Sequence, residues 1–216
     1  MLRLVCLLIG YLFGMIQSAY LYGRMKGIDI RNYGSGNAGT TNAMRVFGKK
    51  IGFLVLLCDL SKSLIALLLV NALFGAGNPE RIYLLKLYTI AGCVLGHDYP
   101  FYMNFKGGKG VAVMAGFAIA FYRPWFFFAC LALFALPFIA THYVSLGSLV
   151  LYAGLVVLMV GMGQGGCFAP APQGVLTEMY IVQLLLSAMA FYKHRANIGR
   201  LLSGTENKTY LLKKKA

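Results

Sequence analysis

Long apolar segments recur along the whole chain, and they limit its possible folds more than any other feature. A membrane-spanning helix needs about 20 mostly apolar residues. Hydrophobic residues make up 59% of the 216 residues and charged residues only 12%, whereas a soluble domain usually carries about 25% charged residues. This composition argues against a soluble enzyme, a disordered protein and a disulfide scaffold, and it predicts an integral membrane protein. The apolar segments are residues 2–22, 52–74, 82–97, 110–122, 124–141, 143–162 and 174–192.

These segments predict an all-α integral membrane protein with about seven transmembrane helices in a single domain over residues 1–216. The fourth segment is short for a full crossing, and Arg123-Pro124 separates it from the fifth. These two segments can instead form a hairpin that does not cross, which leaves five spans. Both counts are odd, so the two chain ends are predicted on opposite sides in either case. The first apolar run extends past Tyr20, so we expect a retained span and not a cleaved signal peptide.

Basic residues are distributed unevenly between the predicted sides of the membrane. Fifteen of the 20 Lys and Arg residues lie in the loop after the first segment, the loop after the third, and the C-terminal tail. An odd number of spans puts these three regions on one side, and the opposite side has only Arg3, Arg81 and Arg123. By the positive-inside rule the basic side is cytoplasmic, with the N-terminus outside and the C-terminus inside. The net charge of +14 therefore indicates orientation and requires no nucleic-acid partner.

The first polar cluster on the basic side runs from Arg31 to Arg45 and contains the pattern G-x-G-x-x-G. A dinucleotide site would need a preceding strand and a βαβ unit, but a predicted membrane helix precedes this pattern. Glycines expose backbone N–H groups, and together with the polar side chains and Arg45 they can hold an anion. The alternative is a solvated glycine turn. The candidate residues are Gly34, Ser35, Gly36, Asn37, Gly39, Thr40, Thr41 and Asn42.

The second cluster contains Gly96-His97-Asp98-Tyr99-Pro100 and then Phe105-Lys106-Gly107-Gly108-Lys109-Gly110. A glycine-rich, lysine-bearing loop before an apolar helix is suited to phosphate, because the free N–H groups and the helix dipole point at the anion. The spacing of a nucleotide-hydrolysing loop is absent. The alternative is a flexible, positively charged flank of a membrane helix.

The third cluster leaves the last apolar segment and extends from His194 to Glu206. In a helix, His194, Asn197 and Arg200 would lie along one stripe. The alternative is a basic tail on anionic lipid, which suits Lys213–Lys215 better than it suits the His-x-x-Asn pattern.

Two smaller features leave alternatives open. Asp59 and Lys62 lie three residues apart inside an apolar segment, where charges usually pair or face a cavity. Ser145 and Ser148 begin the sixth segment, where Ser145 is either a helix N-cap or, with Ser148, a ligand contact. The five cysteines are scattered, with no metal-ligand spacing, and we expect no metal and no cofactor.

Together the three clusters resemble the bacterial acyl-phosphate:glycerol-3-phosphate acyltransferase family, PlsY. The resemblance covers nearly the whole chain in order, and Val144-Ser-Leu-Gly-Ser148 and the pair Asp59 and Lys62 also match. It implies a multi-pass enzyme of the bacterial inner membrane with its active site at the cytoplasmic face. Such an enzyme makes lysophosphatidic acid from acyl phosphate and glycerol 3-phosphate, without acyl-CoA or acyl carrier protein. Ala38, Thr40, Ser63 and a longer loop at 163–174 depart from the family pattern.

The resemblance and the chemistry of two phosphates assign roles to these residues. Lys109 and the loop 107–110 hold one phosphate, while Ser35, Asn37 and Arg45 hold the other, with Ser145 and Ser148 nearby. His194 and Asn197 orient the attacking hydroxyl, and the base is His97, His194 or, as we favour, the acyl phosphate itself. Further binding residues are Gly34, Gly36, Gly39, Thr41, Asn42, Lys106, Gly107, Gly108, Gly110, Arg200 and Glu206.

Two other functions compete with acyl transfer. A transporter for organophosphate anions would also use glycine loops and membrane charges, but all three clusters gather at one face, and no inverted repeat is visible. A structural membrane subunit would leave the glycine-rich loops unexplained. The partners expected are the two small-molecule substrates and membrane lipid, and a monomer is compatible with the sequence.

Overall fold

The computed structural model describes residues 1–210, which form ten α-helices and two short 3₁₀ turns. These residues contain no β-strand, which confirms the all-α prediction. Lys213–Lys215 lie outside the described residues. The helices are α1 (Leu2–Gly14), α2 (Ser18–Met25), α3 (Thr40–Phe47), α4 (Lys49–Phe74), α5 (Ile82–Asp98), α6 (Val111–Ala120), α7 (Pro124–Thr141), α8 (Val144–Gln164), α9 (Gln173–Lys193) and α10 (Arg195–Leu202).

Five segments of the described chain are long and apolar enough to cross a membrane: Leu2–Met25, α4, α7, α8 and α9. α5 has 17 residues and α6 only ten. The predicted hairpin of the fourth and fifth segments therefore joins two unequal helices, because α7 has the length of a span and α6 does not. Large apolar side chains such as Leu68, Ile139 and Val157 are exposed on the outer surface, which suits contact with lipid.

The first predicted span is interrupted. α1 ends at Gly14 and α2 begins at Ser18. The carbonyl oxygens of Gly14 and Ile16 at this break accept hydrogen bonds from the Lys62 ammonium of α4, at 3.1 and 2.7 Å. A helix end leaves carbonyls without intrahelical partners, so a buried lysine on a neighbouring helix stabilises the interruption.

α1 and α5 pack in close backbone contact through paired glycines. Gly10 and Gly14 on α1 face Thr89 and Cys93, and a Cβ at either glycine would overlap the α5 backbone. Gly92 and Gly96 on α5 are likewise pressed against the α1 backbone. Glycines four residues apart let membrane helices approach this closely. α5 ends at Asp98, and His97 in its last turn lines the cavity described below.

The remaining long helices close the bundle around an apolar core. α6 packs on α4, where Ser63 donates to the Val113 carbonyl at 2.7 Å. α7 packs on α8 and α6, and α8 packs on α9. Phe117, Phe126 and Tyr152 are fully buried among these helices. The short helices α3 and α10 and the start of α6 meet at one end of the bundle, where their residues line a common cavity.

Candidate active site

A cavity of about 630 Å³ joins the three polar clusters. Its polar end is lined by α3, the start of α6, the start of α8, and the segment from Lys193 through Thr209. Its other walls are apolar side chains of α4, α6 and α7, among them Leu56, Met114, Phe134 and Phe138. All of the predicted site residues line this cavity except Gly34, Lys106, Gly107 and Gly108.

The Glu206 carboxylate organises the polar end. Its Oε1 accepts hydrogen bonds from Asn197 Nδ2 at 2.7 Å and Ser145 Oγ at 2.9 Å, and its Oε2 accepts from Arg200 Nε at 2.6 Å. Burial alone would raise the pKa of Glu206, but these three donors outweigh burial and hold that pKa below its usual range. The ionised glutamate thus ties α8, α10 and the tail into one unit.

Asn197 links this carboxylate to Lys109. Its Nδ2 donates to Glu206, so its Oδ1 faces the other way and accepts a hydrogen bond from the Lys109 ammonium. Burial, and then the positive charge of Arg200, lower the pKa of Lys109 to about 8. The lysine is therefore mostly protonated at neutral pH, and it presents a partly desolvated positive charge to an anion in the cavity.

His194 is buried at the junction of α9 and α10. Its Nδ1 lies 2.8 Å from the Ala190 carbonyl oxygen. A carbonyl oxygen only accepts, so Nδ1 carries the proton and Nε2 is left as an acceptor. Burial, and then the Lys109 charge, lower the pKa of His194 to about 4. At neutral pH the ring is uncharged and offers Nε2 to a hydroxyl group.

The first cluster forms a loop that its own asparagine holds together. The buried Asn42 accepts from the Ser35 N–H at 2.8 Å and donates to the carbonyls of Ile30 and Tyr33. Gly34 has φ +61°, and a Cβ there would overlap the Asn42 carboxamide, which explains the glycine. Asn42 and Gly34 therefore shape the loop, while Ser35, Asn37 and the exposed Arg45 line the cavity.

The second cluster differs from the expectation that its glycines offer N–H groups to a phosphate. The Gly107 N–H donates to the Asp98 carbonyl at 3.1 Å, and the Gly108 N–H donates to the His97 carbonyl at 2.9 Å. Neither N–H group is free, and Lys106 is exposed outside the cavity. α6 begins after Gly110, and the first backbone N–H groups of a helix have no partner within that helix.

Contacts exclude the N-cap role of Ser145 and show that Asp59 and Lys62 form a pair, while a ligand contact by the serines stays a prediction. Tyr143 is the N-cap of α8, and Ser145 instead donates to Glu206. Ser148 donates to the Val144 carbonyl and lines the cavity. Asp59 and Lys62 form a buried ion pair at 2.9 Å, of which only Asp59 lines the cavity.

Several cavity residues were not singled out from the sequence. Lys193 donates to the Asp98 carbonyl at 3.1 Å and lies over the Tyr99 ring. In the sequence, the position of Lys193 directly before His194 was the feature that could have identified it as a cavity residue. The apolar wall of α7 carries no local signal, because every face of that helix is apolar.

An apolar helix bundle with a cavity that combines cationic and apolar walls defines an integral membrane protein with a candidate site of mixed polarity. A family model described as glycerol-3-phosphate acyltransferase matches residues 4–204. The chain belongs to the glycerol-3-phosphate acyltransferase family, and it is an acyltransferase.

Individual relatives agree with this assignment. Glycerol-3-phosphate acyltransferase of Mycoplasma pneumoniae is 36% identical over 94% of this chain and 92% of the relative. Glycerol-3-phosphate acyltransferase of Clostridioides difficile is 39% identical over 95% of this chain and 94% of the relative. The crystal structure of PlsY (YgiH), an integral membrane glycerol 3-phosphate acyltransferase in its glycerol 3-phosphate form, superposes with a TM-score of 0.79 at 33% identity over 96% of both chains. The lysophosphatidic acid form of that protein gives a TM-score of 0.76 at 32% identity.

Proposed function

We propose that this chain transfers an acyl group from acyl phosphate to the sn-1 hydroxyl of glycerol 3-phosphate. The products are lysophosphatidic acid and inorganic phosphate. The observation that carries this proposal is the single cavity in which a cationic end continues into an apolar wall. A soluble phosphate alone would need no apolar wall, and a lipid chain alone would need no cluster of cations.

The polar end suits two phosphates. Lys109 and Arg200 lie on one wall, linked through Asn197 and Glu206, and Arg45 lines the cavity from α3. We assign one phosphate to Lys109 and the start of α6, and the other to Arg45 with Ser35 and Asn37. Hydrogen bonds hold Lys109 and Arg200 before substrate binds. These two cations can therefore stabilise charge on a reacting phosphate without further rearrangement.

The acyl chain is assigned to the apolar wall. Phe127, Cys130, Leu131, Phe134 and Phe138 line the cavity from one stripe of α7. Leu131 is 45% exposed, so the cavity has an edge open to the surrounding lipid. We infer that the chain of the acyl phosphate enters from the bilayer at this edge, while its phosphate stays at the polar end.

Acyl transfer then needs positioning and one proton transfer. The hydroxyl oxygen of glycerol 3-phosphate attacks the acyl carbonyl carbon, the bond from that carbon to the phosphate oxygen breaks, and the hydroxyl proton goes to the leaving phosphate. His194 Nε2 orients the hydroxyl, but its pKa of about 4 makes it a weaker base than a phosphate dianion, with a pKa of about 6. The phosphate is also favoured over His97 as the base, because the His97 Nδ1 already faces the Lys62 ammonium at 2.9 Å.

We also propose the placement of the chain in the bacterial inner membrane. We assign residues 1–216 to one domain whose chain crosses the membrane about seven times, at the five longer segments and at α5 and α6. The ten-residue α6 is too short to span a bilayer alone, so it crosses among α4, α5 and α7, against which it packs. The uneven distribution of basic residues supports an outer N-terminus and a cytoplasmic active site. A monomer suffices for this mechanism, because every proposed site residue comes from one chain.

The proposal is tested with purified, detergent-solubilised protein. Palmitoyl phosphate and glycerol 3-phosphate are expected to give lysophosphatidic acid and inorganic phosphate, whereas palmitoyl-CoA is expected to give neither. Equal turnover with palmitoyl-CoA would contradict the donor assignment. The competing transporter function predicts uptake of glycerol 3-phosphate into proteoliposomes with no lysophosphatidic acid formed.

A further inference from the structure

Lys62 lies within the membrane-spanning α4 and is almost completely buried. Its ammonium pairs with Asp59 Oδ1 at 2.9 Å and donates to the carbonyls of Gly14 and Ile16 at the break between α1 and α2. Lys62 does not line the cavity. A buried ion pair is weak evidence for stability, because the cost of desolvating two charges can exceed their attraction. The contacts that Lys62 makes are therefore more informative than the contribution of the ion pair to stability.

The fourth contact of Lys62 is with His97, whose Nδ1 lies 2.9 Å from the ammonium. An ammonium group only donates, so Nδ1 must accept and the ring proton must be on Nε2. The carbonyl of His97 also accepts from the Gln17 side chain at 2.8 Å. Lys62 and Gln17 thus hold the ring and the backbone of this 2%-exposed residue in one position.

The second glycine loop rests directly on His97. A Cβ at Gly108 would overlap the His97 imidazole, nearest to Nε2, and a Cβ at Gly107 would overlap the His97 carbonyl oxygen. The Gly108 N–H donates to that same carbonyl at 2.9 Å. The next residue is Lys109, whose ammonium reaches Asn197. One continuous series of contacts therefore runs from Lys62 through His97 and Gly108 to Lys109.

We propose that Lys62 is a positioning residue for phosphate binding, which fixes the tautomer and orientation of His97 and thereby the position of the loop that carries Lys109. This inference rests on the proposed function, since it concerns the phosphate that Lys109 binds. It assigns the membrane-buried Asp59–Lys62 pair a role in substrate binding, although Lys62 lines no part of the cavity. Asp59 is then the buried partner that pairs with the Lys62 ammonium.

The test uses full-length protein with Lys62→Met, and with Asp59→Asn and Lys62→Met combined so that no buried charge is left unpaired. Lys86→Met is the matched control, because Lys86 also donates to two backbone carbonyls, those of Ala120 and Phe121, and lines no part of the cavity. Glycerol 3-phosphate binding is measured by calorimetry, and acyl transfer is measured in parallel.

Both Lys62 variants are expected to raise the Kd and KM for glycerol 3-phosphate by about tenfold, which is about 1.4 kcal/mol, with a much smaller change in kcat. Lys86→Met is expected to change none of these constants. Adding His97→Ala to Lys62→Met should cause little further loss, because residues that act through one another are not additive.

A pH profile separates positioning from general destabilisation. Lys109 faces Arg200, Glu206 and His194 on the α10 side, and Lys193 and Asp98 at the ends of α9 and α5. A displaced loop would leave it more solvated, so the alkaline limb of kcat/KM should move upward in the Lys62 variants.

Three results would overturn the proposal. The first is a folded Asp59→Asn and Lys62→Met double variant with the wild-type Kd for glycerol 3-phosphate and the wild-type alkaline limb of kcat/KM. The second is additive loss from Lys62→Met and His97→Ala. The third is that neither Lys62→Met nor the Asp59→Asn and Lys62→Met double variant folds, which would give Lys62 a role in the fold alone. Failure of the proposed function would instead appear as absence of lysophosphatidic acid with wild-type protein, so the two failures are distinguishable.

Discussion

Replacing Glu206 with glutamine tests whether one carboxylate organises the polar end of the cavity. The substitution keeps an acceptor for Asn197 and Ser145 but places an amide N–H₂ opposite the Arg200 guanidinium. The 2.6 Å charge-assisted bond to Arg200 is then lost, and Arg200 is free to leave the position that it holds against the cavity.

The expected loss of kcat/KM follows from the loss of this one hydrogen bond. A hydrogen bond to a charged group contributes about 1.5–3 kcal/mol, and a tenfold change corresponds to about 1.4 kcal/mol. Glu206→Gln should therefore lower kcat/KM for glycerol 3-phosphate roughly 10- to 100-fold. The Arg200 side chain is 38% exposed, and solvent screening places the expectation in the lower part of this range.

Glu178→Gln is the matched control for this measurement. Glu178 accepts from Arg3 at 2.5 and 2.6 Å and from Tyr88 at 2.8 Å, so it has the same kinds of partner, but it lines no part of the cavity. Both variants are assayed for acyl transfer and for thermal unfolding. Wild-type kcat/KM in Glu206→Gln, or an equal loss in Glu178→Gln, would refute the assignment.

Three further predictions concern the cationic wall and the histidine. In wild-type protein kcat/KM for glycerol 3-phosphate should fall as pH rises through about 8, because the free enzyme loses the Lys109 proton there. Lys109→Arg should stay active at that pH, because arginine keeps its charge. The same fall of kcat/KM in Lys109→Arg would contradict the assignment. His194→Phe should lower kcat roughly 100-fold, because the attacking hydroxyl loses the group that orients it. A His194 pKa of about 4 predicts no acid limb from this residue near neutral pH. A kcat in the wild-type range would refute the orienting role. Arg45→Ala should raise KM for a phosphate substrate roughly 10- to 100-fold, whereas the exposed Arg24→Ala should not; equal effects would indicate only general electrostatic attraction.

Patterns local in sequence predicted much of this molecule. Long apolar runs located the main helices, and the spacing of His194, Asn197 and Arg200 located one wall of the cavity. Ser145 and Glu206 were also singled out, although the hydrogen bond between them joins residues 61 positions apart. Residue type and spacing therefore identified most of the polar residues that line the cavity before any contact between them was known.

The contacts that required the structure are those between distant residues. The break after Gly14 depends on Lys62, which is 48 residues away along the chain. His97 has the residue type of a base, but its Nδ1 lies 2.9 Å from the Lys62 ammonium, and this contact is the basis of the positioning role proposed above. The stripe of α7 that lines the cavity was not predictable, because an evenly apolar helix has no periodicity to show which face meets the site.

The most direct test of the central claim, that this cavity performs acyl transfer from acyl phosphate, is the stoichiometry of the products. Lysophosphatidic acid and inorganic phosphate are measured together for wild-type protein and for Lys109→Ala of matched thermal stability. Wild-type protein should release the two products in equal amounts, and Lys109→Ala should release both roughly 100- to 1,000-fold more slowly. Unequal amounts from wild-type protein, or an undiminished rate from Lys109→Ala, would contradict the claim.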